Sequence, residues 1–139
     1  MRIVKTALLL GFLFVACFAG ASESFFPKPS SSALPMYPEG ARKARVAGRV
    51  KVWFILNADG AVTQTGVISG NPLLREATVN IVKTWTFPSG ALRSNIRNET
   101  EFEYVLSVQS KEGEPRLIVS MADYRRVKIT SELYVEPIE

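Results

Sequence analysis

The sequence of 139 residues contains no histidine and only one cysteine, Cys17. The absence of histidine removes the most common general base and a common metal ligand. A single cysteine excludes both an internal disulfide and a thiolate metal cluster. No Ser-Lys pair, glycine-rich phosphate loop or metal-ligand cluster stands out. The sequence therefore predicts no catalytic residue, no cofactor and no metal site.

The sequence also has little net charge. Seventeen basic and 13 acidic residues give +4, and +2 remains without Arg2 and Lys5, which lie in a segment that we expect to be removed. This charge is too small for a nucleic-acid binder, which presents a concentrated basic face. The hydrophobic fraction of 47% supports a packed core, and the length fits one small domain.

Residues 1–21 have the pattern of a secretory signal peptide. A basic start precedes the apolar stretch 7–18, and Ala19-Gly20-Ala21 offers a cleavage site before Ser22. Two alternatives stay open, a retained signal anchor and lipidation of Cys17. All three place the rest of the chain in the periplasm or outside the cell, with membrane contact only through the anchor or the lipid. Residues 22–36, rich in serine and proline, predict an extended, solvated linker.

The stretch 37–88 predicts a compact α/β unit. We expect a helix over 38–46, a hairpin over 48–69 with its turn at Asp59-Gly60, and a helix over 72–84. The second helix has an apolar stripe, and the first strand alternates with a period of two. Four of its side chains define a core face: Val50, Val52, Phe54 and Leu56. Trp53 and Ile55 make the other face apolar too, so a helix or a neighbouring molecule is expected to cover it.

The last third of the chain predicts three more strands, at 99–108, 116–122 and 125–135, because apolar residues alternate in each. Since sequential strands joined by tight turns usually pair, the last two should follow 99–108 in the sheet. The open edge would then be the last strand, around Lys128 to Val135, whose polar face fits a blunted edge.

The ordered motifs of this chain resemble the C-terminal domain of TonB-type energy transducers over residues 35–108. The resemblance implies an α+β fold with a small antiparallel sheet and two helices on one face. A domain over 37–110 would be extended by a C-terminal β-hairpin within 111–139. The residues that carry the resemblance are Tyr37, Pro38, Ala41, Arg42, Gly48, Val50, Val52, Phe54, Asp59, Gly60, Val62, Ser69, Gly70, Pro72, Trp85, Phe87 and Pro88.

The resemblance further implies a non-enzymatic envelope domain that binds an extended peptide or a protein partner by strand addition, linked to outer-membrane transport. The strand that follows Trp85 would be the peptide edge, and the C-terminal extension would then occupy it. The short linker and the lack of histidine depart from the family's transducers. An assembly subunit of an envelope complex without energy transduction is therefore the alternative, and a homodimer is left open.

Six residues are candidates for partner binding. Five lie near the implied edge or on the second apolar face, and the sixth, Tyr37, belongs to the entry helix motif, where a role in packing is the simpler interpretation. A catalytic use of Glu101 and Glu103, about 6.8 Å apart along a strand, is the competing hypothesis. A solvated acidic face is the simpler interpretation, since no apolar pocket is implied. The six candidates are Tyr37, Trp53, Ile55, Glu101, Glu103 and Val105.

Overall fold

A computed structural model describes residues 26–109 and 116–134 and confirms the α+β class. The predicted signal peptide lies outside the described residues. The predicted helices and strands are all present, with bounds that differ by a few residues. In chain order they are α1 (Glu39–Lys43), β1 (Gly48–Leu56), β2 (Val62–Ser69), α2 (Pro72–Lys83), β3 (Arg97–Gln109), β4 (Leu117–Asp123) and β5 (Arg126–Tyr134).

The five strands form one sheet in the order β2-β1-β3-β5-β4. β1 is antiparallel to β2 and β3, and β4 and β5 form the predicted antiparallel hairpin. β3 and β5, however, are parallel over nine residue pairs, so the sheet is mixed rather than wholly antiparallel. The extension does occupy the β3 edge, as predicted. The prediction that β5 forms the open edge is wrong, because β4 lies outside it.

Tyr124 accounts for the position of β5 beside β3. Its ring packs edge-on against Phe54 and Phe87, at 5.7 and 5.9 Å between centroids. Its carbonyl accepts a hydrogen bond from the hydroxyl of Thr100 on β3, and the carbonyl of Arg125 accepts one from the next β3 amide. These contacts fix the start of β5, rather than β4, against the centre of the sheet.

The core lies between one face of the sheet and the two helices. Helix α2 begins at a capped end, because the side chain of Asn71 accepts a hydrogen bond from the amide of Leu73. Leu73, although apolar, is 48% exposed, whereas Thr78 is fully buried. Thr78 is tolerated there because its hydroxyl donates to the carbonyl of Leu74 and shares a 2.8 Å hydrogen bond with Tyr104.

Trp85 and Phe87 enter this core together, as their spacing of two residues predicts. Both are buried, and their rings contact Phe54 at 5.6 and 5.9 Å between centroids. Gly60 adopts the expected positive φ of 87° in the β1–β2 turn. Its backbone passes so close to Phe87 that an added Cβ would lie 2.0 Å from the Phe87 carbonyl oxygen. The close packing of the turn against the core therefore requires glycine at position 60.

The described part of the predicted linker, residues 26–36, is extended but not free in solvent. Phe26 packs on Tyr124, whose amide donates to the carbonyl of Pro27. Further along, Ser31 and Thr86 exchange backbone hydrogen bonds as an isolated β-bridge. The segment therefore crosses the domain from the extension to the loop after α2. Backbone pairing of this kind leaves no apolar periodicity, which is why the sequence indicated only a linker.

Candidate binding surfaces

The face of the sheet opposite the helices, here called the open face, carries five of the six candidate residues. Trp53 and Ile55 lie on β1, and Glu101, Glu103 and Val105 lie on β3. All five are partly exposed. They share this face but do not form one cluster, because Trp53 pairs with Glu99 and Ile55 with Arg97, at the end of β3 away from Val105. No helix among the described residues covers this face. Of the two expected covers for Trp53, a helix is therefore not found among these residues, and a neighbouring molecule stays a prediction.

Tyr37, the sixth candidate, lies on the opposite face and is only 7% exposed. Its hydroxyl donates to the carbonyl of Val46, and its ring meets Tyr104 edge-on at 5.4 Å. Burial raises the pKa of Tyr37 above its usual value. Tyr37 thus caps the core and holds the end of α1, and its role in partner binding stays a prediction.

The two glutamates of the open face already have a charged neighbour in their own chain. Arg49 on β1 lies 3.8 Å from Glu101 and 3.9 Å from Glu103, between guanidinium nitrogens and carboxylate oxygens. Such long, solvent-exposed pairs contribute at most about 1 kcal/mol each. Lys51, Arg126 and Lys128 flank the same carboxylates through strand pairing. The centre of the open face is therefore a ladder of alternating charges.

Trp53 lies flat on its own sheet. An added Cβ at Gly66 would sit 2.6 Å from the indole nitrogen, so only glycine leaves room for the ring there. The guanidinium carbon of Arg97 lies 5.1 Å from the ring centroid on β3's side. The apolar area that the sequence pattern assigned to a partner is thus covered partly by neighbouring residues of the same sheet.

The edge that the resemblance assigns to peptides is internal. From Glu101 to Gln109, every residue of β3 pairs with β5, starting at Arg126 and ending at Tyr134. A peptide could add there only if β5 separated from β3. The free edges of the described sheet are instead β2 and β4.

β4 is an unusually apolar edge. Its first five residues, 117–121, contain no charge and no proline. Leu117, Ile118 and Val119 are 45%, 50% and 40% exposed, and no residue of the strand is buried. Protein sheets normally protect such edges with charges, proline or bulges. Alternation of Leu117, Val119 and Met121 predicts a strand but gives no sign that this strand is an exposed edge, with Ile118 on its other face.

β2 shows that protection. Its pairing with β1 is interrupted by two register shifts, near Val52 and Leu56, which bend and twist the edge. The hydroxyls of Thr63 and Thr65 donate to β1 carbonyls. Helix α2 packs over the strand. Only Val67 and Ile68 remain as exposed large apolar residues of β2, at 37% and 40%.

The described residues contain no cluster of acidic side chains suited to a metal ion. Burial raises the pKa of Tyr104 to about 12, although the hydrogen bond to Thr78 acts to lower it. This group belongs to the core and not to a cleft. Within 26–109 and 116–134, no helix has the length and apolar character needed to cross a membrane.

Comparison with known proteins places these features in a family. A search of curated proteins gives no match. Among protein families, residues 33–106 match the C-terminal domain of the Gram-negative bacterial TonB protein. The match begins in the extended N-terminal segment, covers more than half of the chain and ends within β3, so that β4 and β5 lie beyond it. This chain therefore belongs to the TonB C-terminal domain family, which serves the envelope of Gram-negative bacteria.

Proposed function

We propose that this protein is a non-enzymatic binding module of the bacterial envelope that takes up an extended segment of a protein partner at the β4 edge. The observation that carries this proposal is the exposed strand β4 at the end of the sheet, whose first five residues, 117–121, carry no charge. Strand addition uses backbone hydrogen bonds for affinity and alternate side chains for specificity. β4 offers both, with apolar side chains on each face.

Closure of the β3 edge favours a second candidate, an assembly subunit of an envelope complex that does not transduce energy. Nine residue pairs join β3 to β5, so peptide capture in the manner implied by the family would require the extension to detach. A link to outer-membrane transport rests on family membership. The two candidates differ in whether the partner contact depends on the energised state of the inner membrane.

Photocrosslinking in the native host tests the proposed edge. A photoreactive amino acid replaces Ile118 on β4 and, as a matched control, Ile68 on β2, since both are exposed isoleucines on edge strands. We expect a discrete adduct to an envelope protein from position 118 and none from 68. The adduct should be lost with Val119→Pro, which removes a backbone donor, and kept with Val119→Thr. Adducts from position 68 alone would overturn the assignment to β4.

The same adduct separates the two candidates. A protonophore collapses the membrane potential without touching the domain directly. An adduct that persists unchanged supports an assembly subunit. An adduct that disappears supports energy-dependent contact and argues against the assembly role.

A further inference from the structure

The outer side of β4 presents unused backbone hydrogen-bonding groups at alternate residues. The amide of Glu132 donates to the carbonyl of Arg116, which makes these two residues a hydrogen-bonded pair of the β4–β5 ladder. Hydrogen-bonded and non-hydrogen-bonded pairs alternate in antiparallel ladders. Leu117, Val119 and Met121 therefore direct their amides and carbonyls away from β5. No strand of the described sheet pairs on that side.

We propose that the occupant of this edge is β4 of a second copy, paired antiparallel about a twofold axis at Val119. This rests on the proposed function, because it names the partner of the same edge. The dimer would join two five-stranded sheets into one continuous sheet. Each copy then supplies the strand that covers the apolar edge of the other.

The register follows from symmetry. A twofold axis that relates antiparallel neighbours stands perpendicular to the sheet, so each face of one copy continues into the same face of the other. An axis at Val119 places Leu117 opposite Met121 of the second copy and Val119 opposite itself, an unbroken apolar row on the core face. It also uses all the outward backbone groups, giving about six hydrogen bonds. An axis at Ser120 would instead set Leu117 opposite the charged Asp123.

The two ends of β4 carry opposite charges. The register shift after Met121 pairs Asp123 with Arg126, which places this carboxylate on the open face. Arg116 directly precedes the strand at its other end. Antiparallel pairing about Val119 brings the Arg116 end of each copy against the Asp123 end of the other. The edge is thus complementary to itself in charge as well as in apolar pattern. The bulged β2 edge has no such complementarity.

The test begins with the mass of the intact protein in solution. Sedimentation velocity should give a reversible dimer for the natural sequence. Val119→Pro removes the amide at the axis without removing a β4–β5 hydrogen bond, and should give a monomer with an unchanged circular dichroism spectrum. Val119→Thr keeps the amide and the branched side chain, so it should still dimerise. A natural protein that stays monomeric at the highest soluble concentration would overturn the proposal.

Disulfide trapping fixes the register. In a Cys17→Ser background, chains carrying Ile118→Cys are mixed with chains carrying Ser120→Cys. With the axis at Val119 these two positions form a non-hydrogen-bonded pair about 4.5 Å apart between Cα atoms, within disulfide range. Two Ser120→Cys chains would be roughly 8 Å apart and should not link. Linkage in the mixture alone supports the proposal, and linkage of Ser120→Cys chains with one another overturns the Val119 axis.

Failure of this inference can be told apart from failure of the proposed function. A monomeric protein that still yields a Val119→Pro-sensitive adduct at position 118 to a different envelope protein overturns the dimer and retains the binding function. A monomeric protein that gives no adduct at position 118 overturns both the dimer and the proposed binding function.

Discussion

At one end of the sheet, β2 lies beneath α2, follows an irregular register and bonds its threonine hydroxyls back to β1. At the other end, β4 pairs with β5 alone among the described strands, and none of its residues is buried. The family match covers the first end and stops before the second. The extension thus covers the β3 edge with β5 and leaves β4 as the new exposed edge.

The largest effect is expected in the aromatic core of the β2 end. Trp85→Ala removes a ring with no exposed surface and its indole hydrogen bond to Ser32. It should lower the free energy of unfolding by about 3–5 kcal/mol. Chemical denaturation measures this. Trp53→Ala, on the open face, is the matched control and should cost clearly less. Equal losses would contradict the division between core and open face.

The extension should depend on a smaller set of buried residues. Ile129→Ala removes a fully buried side chain of β5 and should cost about 2–4 kcal/mol. Hydrogen exchange should show the loss of protection chiefly in β4 and β5. Ile118→Ala, at a 50% exposed position of β4, should change stability by no more than about 0.5 kcal/mol. Protection lost equally in β1 would mean that the two ends unfold as one unit.

The β1–β2 turn tests the fit between backbone and core at the β2 end. Gly60→Val forces a branched side chain to a φ of 87° and against the Phe87 carbonyl. The expected cost is about 1–3 kcal/mol. Gly40→Ala is the control, because nothing lies within 4 Å of the added Cβ in α1, and it should stabilise slightly. Thermal melts of both variants check this, and an unchanged midpoint for Gly60→Val would refute the turn.

Alkaline pH should weaken the core through Tyr104. Its pKa is raised to about 12 in the folded protein from 10.0, chiefly by burial. The unfolded chain therefore ionises first, and the stability contributed by this group is complete below pH 10 and lost as the pH rises toward 12. The loss should be on the order of 2 kcal/mol. Tyr104→Phe should flatten the decline in urea titrations across this range. An equally steep decline in the stability of this variant would show that other tyrosines cause the loss.

Most of the β2 end could be predicted from the sequence. The period-two pattern of β1 and the Asp59-Gly60 turn determine a hairpin by local chemistry alone. The order of β4 and β5 could not be predicted, because both strands alternate equally well. What decides it is Tyr124, whose ring and carbonyl contact residues distant in sequence. Thr78 was missed for a similar reason, since its burial depends on Tyr104 as a hydrogen-bonding partner.

The candidate site was predicted only as a collection of positions. Alternation placed Trp53, Ile55, Glu101 and Glu103 on one face. The structure keeps them on that face, but the register pairs the two glutamates with Lys51 and Arg49 rather than with Trp53 and Ile55. Their neighbours could not be read from the pattern: Arg49 between the carboxylates and Gly66 beneath the indole ring lie on other strands. Strand order also determines which edge is free, so the β4 edge could not be found before that order was known.

The N-terminal segment determines how the domain would respond to mechanical tension. The segment contacts the extension first. The ring centroid of Phe26 lies 3.3 Å from the guanidinium carbon of Arg125, and the Pro27 carbonyl accepts a hydrogen bond from the Tyr124 amide. Only then does it reach Thr86. When the chain is pulled from residues before Phe26 in a single-molecule experiment, Arg125→Ala should lower the force of the first, short rupture. An unchanged force would contradict this order of contacts. The hairpin that closes the β3 edge thus also receives the load before the core does.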